Sequence, residues 1–455
     1  MPTSSENKHV VAFAFPFGSH PFPLLNLVLK LAHAAPNVTF SFINSAKSNQ
    51  ILFSKPQIPA NVKPFSVSDG VPKGHVLGNH PYERLDLFLK AGPENLQKAM
   101  DFAVEETHRR VTCIIADAFV TPSLVLAQNL NVPWIPLWLP LSFSLSAHFY
   151  GDLIRRKNGN SEEDERENRI LDFIPGYSEV KIRDLPQDVL KCDEEKSLFS
   201  QALASMSRVL PQAKAVVTGF YEELDPPLFV EDMKSKLQSL LYVGFLTVTP
   251  PLPPAPPSIS DGNGCLPWLD KHSAKSVAYV SFGTTVAPPP HELVAVAEAL
   301  EESGVPFLWS LREDLKGFLP NAFLEKPNMD GKIVAWAPQS QVLAHDAIGV
   351  YVTHCGCSSV NESIANGVPM ICRPYFGDQA MAARMVEDSW GIGVRIEGGV
   401  FTKNGLLKSL RLILVHEDGK KIRENAQVIE RIVRDAAGPE EGAARDFKTL
   451  VEITS

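Results

Sequence analysis

The sequence predicts an α/β protein made of two Rossmann-like domains, each a doubly wound parallel sheet. Three observations carry that expectation. Short β-rich apolar runs alternate with helical periodicity in both halves of the chain. A proline-rich stretch, TPPLPPAPP over Thr249–Pro257, separates the halves and reads as a stiff extended linker. The 455 residues are 44% hydrophobic and 21% charged, enough apolar material for two cores in a chain of about two to three domains. The expected layout is an N-terminal domain over 1–248, a linker over 249–262 and a C-terminal domain over 263–430. A helical segment over 431–455 is expected to pack back toward the N-terminal domain.

Each element has its own signal. His9–Phe15 alternates too little for a surface strand and suits a buried parallel one. After the Pro16–Phe22 loop, Leu24, Leu25, Val28, Leu29, Leu31 and Ala32 follow helical spacing, and Val38–Ile43 is the next strand. The pattern recurs as strand Cys113–Ala116, helix Pro122–Asn129 and strand Trp134–Leu137. Charges crowd over Arg155–Arg169 (RRKNGNSEEDERENR), the composition of a solvated loop. Beyond the linker the order restarts with strand Val277–Phe282, helix Pro290–Ser303 and strand Phe307–Ser310. Strand Val350–Thr353 follows, then a helix opened by Ser358-Ser359 and stopped at Asn366-Gly367, then strand Val368–Cys372. Val428–Ser455 reads as helical, and two α/β halves on a hinge suggest a ligand cleft between domains.

Composition excludes several function classes. The net charge of -9, with no Lys/Arg block to offset it, argues against nucleic acid as a partner. The six cysteines are dispersed apart from Cys355 and Cys357, and a lone C-x-C lacks the second ligand pair of a zinc site. Reduced thiols in a cytoplasmic protein are therefore expected. MPTSSENKHVVAFAF lacks the basic start and long apolar core of a signal peptide, which leaves the sequons at Asn37 and Asn361 without weight. Pro136, Pro140 and His148 interrupt the apolar run Pro133–Tyr150, so no membrane span is expected. Phe13–Leu24 holds no G-x-G-x-x-G, which removes a dinucleotide-dependent oxidoreductase.

Two regions carry chemistry. Trp336–Gln379 reads as one nucleotide-sugar pocket, because a helix starting just after a strand presents backbone N–H groups and a dipole to a diphosphate. The polar side chains of Arg373–Gln379, after the second strand, suit sugar hydroxyls. Ser359-x-x-Glu362 also matches a capping box, and Trp336 fits either a core position or a base-stacking face. In the first half, His20 follows the first strand and Asp117 follows Cys113–Ala116, both at carboxyl ends where such sheets bind ligands. An imidazole with a carboxylate behind it can take a phenol proton near neutral pH.

The motifs FPFGSHPFPLLNL, CIIADAF, GFYEELDPPL, CLPWLD, YVSFGT, the 336–379 stretch and GIGVRIEGGVFTK resemble the plant family 1 UDP-glycosyltransferases. The resemblance spans nearly the whole chain and is strongest to the flavonoid 3-O-glycosyltransferase branch. It implies the GT-B fold, two Rossmann-like domains whose parallel sheets face across a cleft. It implies inverting transfer from a UDP-sugar to a flavonoid or other phenolic hydroxyl, without metal or other cofactor, by a monomer. By resemblance His20 is the general base and Asp117 its orienter. Trp336 would stack on uracil, with Ala337 and Gln339 at its edge and the ribose, and Glu362 on the ribose hydroxyls. Ser281, His354, Gly356, Ser358 and Ser359 would meet the diphosphate, and Asp378 and Gln379 the sugar. Ser19, Tyr82, Leu139, His148 and Pro186 would line the acceptor.

Departures from the family pattern bear on the substrates. Cys357 and Ser358 stand where Trp-Asn is usual, leaving space beside the sugar and a shorter donor to phosphate. Leu139 stands where glucose users commonly carry Thr, which removes a partner for the sugar 6-hydroxyl. Tyr82 and Pro186 replace common Gln residues, implying a less polar acceptor grip. Gln379, common in glucose users, keeps UDP-glucose the default donor, with UDP-rhamnose or a UDP-pentose as the alternative. A catalytically silent nucleotide-sugar-binding protein is the reading of another class, and intact His20, Asp117, Asp378 and Gln379 speak against it.

Overall fold

The computed structural model describes residues 8–54, 58–78, 82–158, 167–190, 197–248, 261–283, 285–326 and 329–455. The chain forms two compact units, Met1–Thr247 with Ala436–Ser455, and Val248–Asp435.

The first unit is built on a seven-stranded parallel sheet. Its strands are β1 (His9–Phe13), β2 (Thr39–Ser45), β3 (Val62–Val67), β4 (Cys113–Asp117), β5 (Trp134–Trp138), β6 (Val216–Thr218) and β7 (Leu240–Tyr242). Their order is β3-β2-β1-β4-β5-β6-β7, so the chain winds outward twice from β1. Every residue of β1, β4 and β5 is buried, the signature of strands covered on both faces. Val10, Ala12, Phe40, Phe42 and Ile115 pack on Leu24, Val28 and Leu31 of the helix Pro21–Ala34, and Leu450 of the last helix joins the same core. That last helix, Gly442–Thr454, is also tied to the sheet edge, where Asp446 Oδ2 accepts the Tyr242 backbone N–H at 2.8 Å.

The second unit has six parallel strands, β8 (Val277–Ser281), β9 (Phe307–Ser310), β10 (Gly331–Val334), β11 (Ile348–Thr353), β12 (Met370–Cys372) and β13 (Gly393–Arg395), ordered β10-β9-β8-β11-β12-β13. Its core sets Val280, Trp309 and Val352 against Leu293, Val296 and Leu300 of the helix Pro290–Ser303. Thr353 is in register with Ser281 on one side and Cys372 on the other, which brings three strand ends side by side.

One expectation changes. Arg155–Arg169 is not a loop throughout: Gly151–Asn158 is a helix, with Ile154 buried and an Arg155–Asp152 pair one turn apart. Its later part, 159–166, and the linker Thr249–Pro257 lie outside the described residues. The helical C-terminus is two helices, Lys420–Ala436 and Gly442–Thr454, split where Gly438-Pro439 cannot continue a helix. Among the described residues no helix is long and apolar enough to cross a membrane.

Candidate active site

In the first unit the sheet dictates the geometry. β1 and β4 are adjacent and parallel, with Phe13 in register with Ala116, so the loop after β1 and the end of β4 are neighbours. The helix after that loop begins at Pro21, whose fixed φ suits a first helical position, and places His20 at its N-cap. His20 Nδ1 and Asp117 Oδ2 are 2.7 Å apart. Asp117 Oδ1 accepts the Phe119 N–H at 2.9 Å, an Asx-type turn that fixes the carboxylate. A carboxylate only accepts, so the imidazole presents N–H at Nδ1 and leaves Nε2 as its basic atom. The Asp117 side chain is 1% exposed and that of His20 23%, which orients one group and leaves the other reachable.

Aromatic rings surround this pair. Phe15 and Phe119 lie 5.3 and 5.1 Å from the imidazole, and Phe199 stacks on Phe15 at 5.9 Å. Tyr82 reaches the cluster through Phe199 at 5.5 Å, and Trp138 through Phe119 at 5.9 Å. Such walls suit a flat aromatic guest. Tyr82 shares a hydrogen bond with Asp188, and burial with that carboxylate raises its phenol well above the ordinary range. His148 packs edge-on against Trp138 at 5.1 Å, and burial pushes its pKa down to about 4, so it is neutral at pH 7. Pro186 is buried and Ser19 exposed. Leu139 packs on the core of this unit. Phe15, Phe119 and Phe199 escaped the sequence reading, since apolar residues near strand ends, or on a helix as Phe199 is, look like core.

In the second unit the 336–379 residues form two linked groups. The helix Cys357–Ile364 has Gly356 as its N-cap and so begins one residue earlier than Ser358-Ser359 implied. Glu362 makes no capping box: it accepts from Gln339 Nε2 at 2.7 Å and Ser340 Oγ at 2.6 Å. Burial raises its carboxyl pKa, and these two donors oppose the rise. Gln339 Nε2 also donates to Ser359 Oγ at 3.0 Å, while its Oε1 accepts from Tyr351 at 3.0 Å and Tyr279 at 3.3 Å. Tyr279 and Tyr351 face each other in register on β8 and β11, rings 5.0 Å apart, and Tyr351 also reaches the Ser281 carbonyl at 3.4 Å. This floor of two tyrosines was not read from the sequence; matching parity near two polar strand ends was the available signal. Trp336 is 54% exposed, which overturns a core role, and Asn263 Nδ2 donates to its carbonyl at 2.7 Å. Ala337 is buried.

His354 lies at the end of β11. Burial pushes its pKa down to about 4, and Nδ1 is enclosed with no partner among the described residues. Gly283 and Gly356 make room for the ring, since a Cβ on either would stand 2.8 or 2.6 Å from Nε2. Neutral imidazole beside a helix N-terminus can donate to an anion without a charge of its own. Cys357 Sγ contacts Asn361 Nδ2 at 3.8 Å, and no side-chain hydrogen bond links Ser358 to the other candidates among the described residues. Gln379 Oε1 accepts the Tyr375 and Phe376 N–H groups at 2.8 and 3.2 Å. Both partners are donors, so the oxygen must face them and Nε2 is the group left to donate. Asp378 is the N-cap residue of the helix Gln379–Arg384.

Two parallel sheets with these strand-end groups define a GT-B glycosyltransferase, and the chain belongs to the UDP-glycosyltransferase family. The family model described as UDP-glucoronosyl and UDP-glucosyl transferase matches residues 260–439. The chain is 47% identical to an anthocyanidin 3-O-galactosyltransferase of Rhododendron delavayi over 99% of this chain and 98% of that one. It is 48% identical to a flavonol 3-O-glucosyltransferase of Actinidia chinensis var. chinensis over 100% of this chain and 98% of the relative. Among solved structures, a UDP-glucose: anthocyanidin 3-O-glucosyltransferase in complex with UDP superposes with a TM-score of 0.94 at 58% identity, covering 99% of both chains.

Proposed function

We propose that this protein transfers a sugar from a UDP-sugar to the 3-hydroxyl of a flavonol or anthocyanidin, with inversion at the anomeric carbon. The observation that carries the reading is the His20–Asp117 pair at 2.7 Å inside an aromatic wall. His20 Nε2 takes the phenolic proton as the oxygen attacks the anomeric carbon. The bond from that carbon to the diphosphate breaks, and Asp117 stabilises the imidazolium. The helix N-terminus at Gly356–Ser359 with His354 and Ser281 receives the charge developing on UDP, so the reading needs neither metal nor cofactor. Glu362 and Gln339 hold the ribose, Trp336 the base, and Gln379 with Asp378 the sugar.

The relatives support position 3 of the acceptor and divide over the sugar, naming glucose in one case and galactose in another. UDP-glucose is the first donor to test. The apolar Leu139 favours a second reading in which a 6-deoxy donor is accepted, because an apolar site discriminates weakly between the two. We place the enzyme in the cytoplasm as a monomer. Incubation with quercetin or cyanidin and, separately, UDP-glucose, UDP-galactose, UDP-rhamnose and UDP-xylose, with products read by mass and NMR, tests the proposal. A single 3-O-glycoside supports it; no product, or attachment elsewhere, overturns it.

A further inference from the structure

Gln379 is held by the backbone of Tyr375 and Phe376, and that short loop is itself anchored by a charge pair outside the site. Arg373 directly follows β12, where its N–H bonds the Thr353 carbonyl at 2.9 Å. Its side chain turns away to Glu292 in the first turn of the helix Pro290–Ser303. Nε donates to Oε2 at 2.9 Å and Nη2 to Oε1 at 2.6 Å, a two-point contact, while Nη1 bonds the Pro374 carbonyl. The Arg373 guanidinium lies 4.1 Å from the centre of the Tyr375 ring. The Glu292 carboxylate is 1% exposed and also accepts the Phe401 N–H at 2.9 Å, so it is locked from a third element. The Tyr375 hydroxyl is enclosed without a hydrogen-bond partner among the described residues. Stacking on Arg373 and an edge contact with Phe282 at 6.3 Å therefore hold that ring.

A bare loop-anchoring role would be served by any apolar plug. A buried two-point ion pair is costly to desolvate, and the planar guanidinium fixes orientation in a way an apolar side chain does not. The contacts form one line: Glu292 fixes the plane of Arg373, Arg373 fixes Tyr375, and the Tyr375 N–H fixes the Gln379 amide so that Nε2 points outward. We propose that Glu292 and Arg373 are positioning residues that set the Gln379 amide and so the discrimination among donor sugars; this rests on Gln379 as a sugar contact under the proposed function.

Equilibrium binding tests it without requiring transfer. Calorimetry on the full chain compares UDP, UDP-glucose and UDP-galactose for wild type, Arg373→Met, Glu292→Gln, Gln379→Ala and the double variant Arg373→Met/Gln379→Ala. Each single variant is expected to weaken the preferred UDP-sugar about fivefold or more and to narrow the glucose-to-galactose ratio, leaving UDP within about twofold. The double variant should match Gln379→Ala alone, because one contact is lost by two routes. Additive losses, UDP weakening in step with the sugar nucleotides, or an unchanged ratio in Arg373→Met would each overturn the inference. If Arg373→Met does not fold, Glu292→Gln and Arg373→Lys carry the same comparison, Lys restoring charge without the stacked plane and so restoring the ratio only in part. Failure of the wild type to glycosylate any flavonoid would overturn the proposed function while leaving these affinities to decide the inference. An unchanged ratio in Gln379→Ala would sink both the sugar-contact reading and the inference.

Discussion

Glu362 Oε2 sits 2.7 Å from Gln339 Nε2, with Ser340 Oγ closing on the other oxygen at 2.6 Å. The acid is therefore aimed by residues 22 and 23 positions earlier in the chain, not by its own helix cap. A buried carboxylate so aimed suits a vicinal diol, whose two hydroxyls can donate to it together.

Glu362→Gln should weaken UDP by about tenfold to a hundredfold, the worth of a hydrogen bond to a charged group. The variant should also lose preference for UDP over its 2′-deoxy analogue. Calorimetry with both nucleotides checks this, and a retained preference would place the ribose elsewhere.

Gly283 has φ +73°, and an added Cβ would stand 2.8 Å from His354 Nε2. Gly283→Ala should displace the imidazole and weaken UDP about tenfold or more, as strain at a left-handed position adds to the clash. Circular dichroism should remain native in form. Wild-type UDP affinity in this variant would show that His354 does not meet the diphosphate.

The stability profile with pH carries two opposed contributions. His148 and His354 have folded pKa values pushed down to about 4 by burial, against an ordinary 6.5. The unfolded chain takes up protons first as the pH falls, so their contribution is full above pH 6.5 and is lost on descent toward about 4. Asp225 runs the other way. Burial pushes its carboxyl up to about 7 from 3.8, so its contribution is full below 3.8 and is lost as pH rises through about 7. His148→Gln should flatten the fall in Tm from pH 7 to pH 5, and Asp225→Asn should flatten the change near neutrality. Each effect should be a few degrees, since a fully realised shift of that size is on the order of 3 kcal/mol. A steeper acid-side fall in His148→Gln would contradict the sign.

Leu139→Thr tests the donor reading. If the regained hydroxyl meets the sugar 6-position, kcat/KM should shift toward UDP-glucose over UDP-rhamnose by about 1 kcal/mol, roughly fivefold. An unchanged ratio in a protein that uses UDP-glucose alone would remove Leu139 from the sugar pocket.

Strand ends were the most legible part of this molecule. Apolar runs such as Cys113–Ala116 and Val350–Thr353 mark buried parallel strands by composition alone, and their carboxyl ends place Asp117 and His354. What escaped the sequence depends on register and on contacts distant along the chain. Tyr279 and Tyr351 look like core until β8 and β11 pair and their hydroxyls meet Gln339. Glu292 and Arg373 lie 81 residues apart, with no local signal of pairing. Ser359-x-x-Glu362 matches a capping box by spacing, but the cap falls on Gly356, which turns Glu362 away from the first N–H groups.

The most direct measurement is transfer by His20→Ala with a phenolic acceptor, read beside its affinity for UDP. In this variant kcat is expected to fall about a hundredfold to ten-thousandfold, the usual worth of a general base, while UDP affinity stays within about twofold. Asp117→Ala should retain more activity than His20→Ala, since it loosens the imidazole without removing it. Full activity in His20→Ala would contradict the assignment of the base.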